Sequence, residues 1–164
     1  FQQGLTPLSM MAAPSFNDAF VREGFALAPL FTSGSMYLMA FVAPYEAETA
    51  GHATMRATFT AMGIDSANTF LVAGWASQHH LKGVLEAANK GGDLTRAGIR
   101  RAAGSVYVDS DGMMPQRELG QNRADAESFI AVPDGTIASG VKLLAGNYVG
   151  PSAGGYDWES GPCS

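Results

Sequence analysis

The chain has 164 residues, enough for one domain with a sizeable core, and 46% of them are hydrophobic, which excludes a disordered tail. Its net charge is −5, with only ten Lys and Arg spread thinly. The absence of a basic stripe argues against nucleic acid as a partner, and no apolar run reaches the eighteen or so residues of a membrane span. Twenty glycines and eight prolines imply many turns.

The opening F-Q-Q-G-L resembles the last turn of a helix closed by Gly4, with no helix before it. This predicts a fragment whose preceding residues are missing or were removed. T-P-L-S-M-M-A-A (Thr6 to Ala13) reads as a buried strand. S-F-N-D-A-F-V-R-E-G then supplies Ser15 as an N-cap, acid in the first turn and a stop at Gly24. F-A-L-A-P-L-F reads as a second strand and M-Y-L-M-A-F-V-A-P as a third. Helices are expected from about Gly51 to Met62 and from about Asn68 to Asn89, then after Asp93 or Thr95 as cap. Beyond Val106 the turn signals D-S-D-G and P-D-G bracket short extended runs, with a hairpin around Pro133 to Gly135. The tail from Gly146, rich in Gly, Ser and Pro, is expected to be irregular. Strands alternating with helices indicate α/β layers around a mostly parallel sheet.

Several patterns invite a chemical reading. G-P-S-A-G (Gly150 to Gly154) matches a hydrolase elbow, but that elbow joins a strand to a helix and needs a later histidine, and none follows Ser152. D-S-D-G (Asp109 to Gly112) has its glycine too early for a calcium loop and reads as a turn. His79 and His80 are adjacent, so on a helix they point about 100° apart and cannot face one metal, whereas zinc helices use i and i+4. His52 lies on another predicted element, and no metal or cofactor is expected. On the long helix Ser77, Leu81, Val84, Leu85 and Ala88 form the expected core seam, with Gly74 allowing close packing at its head. Trp75, His79, Lys82 and Glu86 share the other face. Trp75 therefore stands outside the seam, in the N-terminal half of its helix, either as a ligand wall or as a cover over a neighbouring loop. Cys163, the lone cysteine, is either a free thiol or the partner of a cysteine in the missing part.

The order G-F-A-L-A-P-L-F, F-V-A-P-Y-E-A-E, A-T-M-R-A-T-F-T-A-M-G, then A-G-W-A-S-Q-H-H-L-K-G-V-L-E-A-A-N-K-G-G-D-L-T-R-A-G-I-R-R-A-A, resembles the C-terminal part of type I periplasmic binding proteins. The branch it looks most like is the leucine/isoleucine/valine-binding substrate receptors of ABC importers, and P-D-G-T-I fits that family's closing segment. The resemblance runs from about Gly4 to Lys142, in order and texture rather than through an invariant motif. It implies a three-layer α/β lobe with a mostly parallel sheet, part of an exported, non-catalytic two-lobe protein that closes on a ligand and docks on a membrane permease. Residues 1–145 would form the second lobe and returning segments, and 146–164 the irregular tail.

The partners so implied are a small-molecule ligand, the ABC permease and the missing N-terminal part of the same protein. The implied location is extracytoplasmic, either free in the periplasm or lipid-anchored at the cell surface. Met11 and Ala12 fall where amino-acid-binding members offer a carboxylate to the ligand's ammonium, and this sequence has no acid there. Trp75 corresponds to the aromatic of the family's G-Y/W-x-A stretch. Met11, Ala12 and Trp75 are thus the expected ligand contacts, for a neutral or anionic, substantially apolar solute. An oxidising compartment would pair Cys163 with a cysteine upstream of Phe1. Two other readings compete: an α/β hydrolase fragment using Ser152 or His79 and His80, and the ligand-binding domain of a sensory receptor.

Overall fold

Alternation of side chains defines the central strand. In β2 (Met36–Ala40), Met36, Leu38 and Ala40 are buried while Met39 points outward. The computed structural model describes residues 8–115, 117–118 and 127–152. On one side of β2 lies β1 (Ser9–Ala12), parallel, with Met11 opposite Leu38. On the other lies β5 (Ser128–Pro133), antiparallel, with Leu38 opposite Ala131. β6 (Val141–Tyr148) pairs antiparallel with β5, giving the order β1-β2-β5-β6. Only the β1–β2 pair is parallel, so the sheet is mixed, not mostly parallel as expected. A turn after Pro133 closes β5 and β6 into a hairpin, which fixes their antiparallel sense, while the antiparallel pairing of β5 with β2 joins segments distant in the chain. β6 also continues its ladder past Gly146 to Tyr148, where an irregular tail was expected.

The crossover between β1 and β2 covers one face of the sheet. Phe16, Val21 and Phe31 pack there against Leu38, Ala131 and Val141. Phe20 and Phe25 stack beside them with ring centres 5.3 Å apart. The second expected strand is absent: Phe25 to Phe31 ends in a short helix, α1 (Ala28–Phe31), with Pro29 in its first turn, where a missing N–H costs nothing. Nor does one helix run from Ser15 to Gly24. Two 3-10 turns, Ala13–Ser15 and Asp18–Val21, replace it, and Asn17 rather than Ser15 caps the second by accepting from Ala19 N. On the opposite sheet face Met10 and Met39 are exposed at 64% and 46%, and the third layer of the expected sandwich is not among the described residues.

Three helices form a second body of core. α2 (Ala50–Ala61), α3 (Thr69–Lys90) and α4 (Arg96–Ala103) begin at the caps Thr49, Asn68 and Thr95, whose side chains accept from His52 N, Leu71 N and Gly98 N. Asp93 in turn accepts from Thr95 N and Oγ1, so both candidate cap residues act together. Val42, Met55, Phe59, Val72, Ala76 and Met113 share one buried cluster. The seam of α3 is Val72, Ala76, Val84 and Ala88, narrower than the wheel predicts, since Leu81 and Leu85 are exposed at 54% and 39% and Ser77 is also exposed. Close approach occurs at Gly83, where a Cβ would lie 3.1 Å from Val108, and not at Gly74, which faces open space. Val108 belongs to β3 (Tyr107–Val108), paired antiparallel with β4 (Arg117–Glu118).

Candidate functional site

β1 and β2 point the same way, so their carboxyl ends, Ala12 and Ala40, lie on one edge of the sheet. β5 begins there, with Phe129 opposite Ala40, and β6 ends there, with Tyr148 opposite Ser128. Ligands of open α/β sheets bind outside the carboxyl ends of the strands. A cavity of about 580 Å³ occupies this edge, lined by Thr49, Met114, Glu127, Phe129, Gly146 and Asn147 among others. Gly112, which also lines it, closes the D-S-D-G segment, which is a turn as its sequence indicates. Asp109 Oδ1 accepts from Asp111 N at 2.8 Å, and Asp111 and Gly112 adopt φ of 52° and 81°. Buried Ser110 fastens the turn, accepting from Met114 N at 2.8 Å and donating to Met114 O at 3.1 Å.

Two polar ties hold the segment that leaves β2 for α2. His52 is fully buried, and its Nε2–H donates to Ala43 O at 3.2 Å, since a carbonyl only accepts. Nδ1 is therefore unprotonated and accepts from Thr49 Oγ1 at 2.8 Å. Burial, chiefly, holds the imidazole below its ordinary pKa; the charge of Arg56 pushes the same way, while the Ala43 carbonyl and Glu48 oppose. In the second tie Glu46 accepts from Ser139 N at 3.1 Å and from Ser139 Oγ at 2.5 Å. Arg22 grips the same β5–β6 loop, donating to the carbonyls of Ile137 and Ala138.

The expected contacts do not meet in one cavity. Met11, half-buried, packs against the crossover cluster, and Ala12 is exposed at the end of β1. The 3-10 turn that follows them touches α3. Trp75 belongs instead to the helical body, its ring edge-on to Phe59 with centres 5.6 Å apart. Trp75 covers the α2–α3 packing and borders an open groove of about 410 Å³ along α3 with Gln78, His79, Leu81 and Leu85. Lys82 and Glu86 flank that groove as an exposed pair 3.8 Å apart. Ser152 lies in a turn, and Cys163 falls outside the described residues. Among the described residues no three His, Cys, Asp or Glu side chains gather as metal ligands, and no helix is long and apolar enough to cross a membrane.

No protein-family model matches the sequence, and no curated protein matches it. A solved structure does: the fatty acid ABC transporter substrate-binding protein from Thermomonospora curvata, at TM-score 0.77 and 19% identity over 94% of this chain. The chain has the periplasmic-binding-protein fold. It spans 40% of the length of that neighbour. Sequence reasoning missed His52 and Glu46 as anchors. The spacing of Thr49 and His52, cap and third residue after it, was a usable signal for the first; nothing local announced the second, whose partner lies at Ser139. The sheet-edge cavity had no signal either, because it is assembled from distant stretches of chain.

Proposed function

We propose that the chain is part of an extracytoplasmic solute receptor that binds a small apolar or anionic organic molecule, without chemistry, and delivers it to an ABC importer. The observation that carries this reading is the predominantly apolar groove along α3, walled by Trp75, Leu81 and Leu85, on a fold shared with a transporter's substrate-binding protein. An ammonium taken into such a surface needs a carboxylate or several carbonyls, and leaving it unpaired costs several kcal/mol, roughly. Met11 and Ala12 offer no such side chain. Methionine and tryptophan offer adaptable apolar area instead. The neighbour is described as a carrier of fatty acid, which favours a carboxylate with a hydrocarbon body. Closure of a second lobe over the groove would bury the solute from the other side and complete its polar contacts. The membrane permease and that second lobe are the protein partners of this reading.

The test is a thermal-shift panel of aromatic and aliphatic acids against free amino acids, run on the two-lobe protein. The acids should stabilise it and alter tryptophan emission, and Trp75→Ala should weaken binding by about 1–3 kcal/mol. Stabilisation by leucine or valine but not by their deaminated analogues rejects the reading.

A further inference from the structure

We propose that the turn joining α3 to α4, together with the exposed side of α4, is a docking surface for an anionic lipid membrane. Lys and Arg are sparse in this chain, yet four of the ten, Lys90, Arg96, Arg100 and Arg101, fall between positions 90 and 101. Asp93 is the one acid between Glu86 and Asp109, so this stretch is positive in a chain whose net charge is −5. All four cations are exposed. Arg101 is engaged by Asp93, whose other oxygen accepts from Thr95 N. Lys90, Arg96 and Arg100 form no ion pair among the described residues, and Glu86, one turn before Lys90, is paired with Lys82. The inference does not depend on what the α3 groove binds.

Helix energetics do not account for the whole cluster. Lys90 and Arg100 stand in the last turns of α3 and α4, where a cation suits the helix dipole. Arg96 stands at the opposite, positive end of α4, with no acid in that first turn to offset it. Arg96 and Arg100 are also four residues apart on one helix, where like charges repel. A plane of lipid phosphates turns both unfavourable placements into attraction. The platform that carries the charges is firmly held, since Asp93 ties Thr95 to Arg101 and Gly98 lies so close to Asp93 that no Cβ fits between them. Leu94 favours lipid over an acidic protein as the partner. It is 57% exposed in the turn, flanked in the chain by Lys90 and Arg96. One aliphatic side chain among cations is too little for the buried anchor cluster of a protein interface. It suits a membrane surface, where the leucine enters the headgroup region and the cations stay at phosphate level.

The experiment is co-sedimentation of the unlipidated full-length protein with vesicles of phosphatidylcholine alone and of phosphatidylcholine mixed with phosphatidylglycerol. Binding should be confined to the anionic vesicles and weaken as salt rises. Lys90→Gln, Arg96→Gln and Arg100→Gln should each weaken it about fivefold, and the triple variant about a hundredfold. Leu94→Ser should weaken it as well. Lys142→Gln, which removes an exposed cation elsewhere, should leave binding as it was. Glutamine is a good helix former, so the circular dichroism spectrum should not change. Should the triple variant lose its helical spectrum, the single variants supply the same readout. Equal binding to neutral and anionic vesicles, or no binding to either, overturns the proposal. Binding unaltered in the triple variant or in Leu94→Ser overturns it too, as does a loss in Lys142→Gln as large as in Arg96→Gln. Capture of a poly-glutamate peptide through the same cations, without vesicle binding, would assign the surface to an acidic protein and overturns the lipid assignment as well.

Discussion

Removing Glu46 should destabilise the protein far more than its place on a connecting segment implies. Its two carboxylate oxygens accept from the backbone N–H and the hydroxyl of Ser139, across 93 residues of chain, and Ser139 is 2% exposed. Hydrogen bonds to a charged group contribute about 1.5–3 kcal/mol each, and a buried donor left without its acceptor loses about 1–3 kcal/mol. Glu46 is itself only half-buried, so water replaces part of what Glu46→Ala removes. We therefore expect a loss of about 2–4 kcal/mol for Glu46→Ala. Glu46→Gln should lose only about 1 kcal/mol, because its amide oxygen still accepts from the N–H and its NH2 can donate to the hydroxyl. Ser139→Ala should cost about 1–2 kcal/mol and couple to Glu46→Ala, so that the double variant falls short of the sum. Urea unfolding followed by circular dichroism measures each variant at constant slope. Glu46→Ala within about 0.5 kcal/mol of wild type, with strictly additive behaviour, would show that the clasp contributes nothing to stability.

His52, with its folded pKa held below the ordinary 6.5, gives stability that is complete above the unfolded pKa and is lost as pH falls from there through the folded value; unfolding curves from about pH 7.5 down to about pH 5 should show this slope, and His52→Gln should flatten it. Gly51→Ala should cost about 1–3 kcal/mol, because the new Cβ would lie 2.5 Å from Met113 Cγ and 2.8 Å from Ser110 O, which thermal melts will register. Gly74→Ala, whose Cβ meets nothing within 4 Å on the open side of α3, should instead stabilise by about 1 kcal/mol through helix propensity, and a lowered melting temperature would contradict that. Met55→Ala, at a position with 0% exposure, should lose about 2–5 kcal/mol in the same unfolding assay.

What the sequence made legible was what neighbours in the chain decide for themselves. The three helices were placed to within a residue or two, and Thr95 with Asp93 was read as the start of α4, because such signals are local; Thr49, which caps α2, was not singled out. The turn at Asp109 to Gly112 was equally plain, its glycine supplying a positive φ. Phe25 to Phe31 misled because an apolar run is ambiguous between strand and helix, and four phenylalanines that find one another across the crossover settled it. The sense of β5 against β2 depended on a pairing no local pattern encodes. On α3 the wheel rightly places Val84 and Ala88 in the core but adds Leu81 and Leu85, which are exposed, and it misses the close approach of Val108 at Gly83. The packing of Trp75 on Phe59 lay beyond any single-helix reading.

β1 is the outermost strand of the described sheet, and the face it shares with β2 shows Met10 and Met39 to solvent, with Leu8 just before it exposed at 77%. A free strand edge beside a greasy face is a template for other chains, and natural proteins usually blunt such edges with charge or proline. None of Leu8 to Ala12 is charged. The chain held at high concentration by itself should thus drift toward strand-to-strand association, detectable as thioflavin-positive scatter that rises with salt. A single Met10→Lys placed on that open face should keep the solution clear while leaving the fold in place.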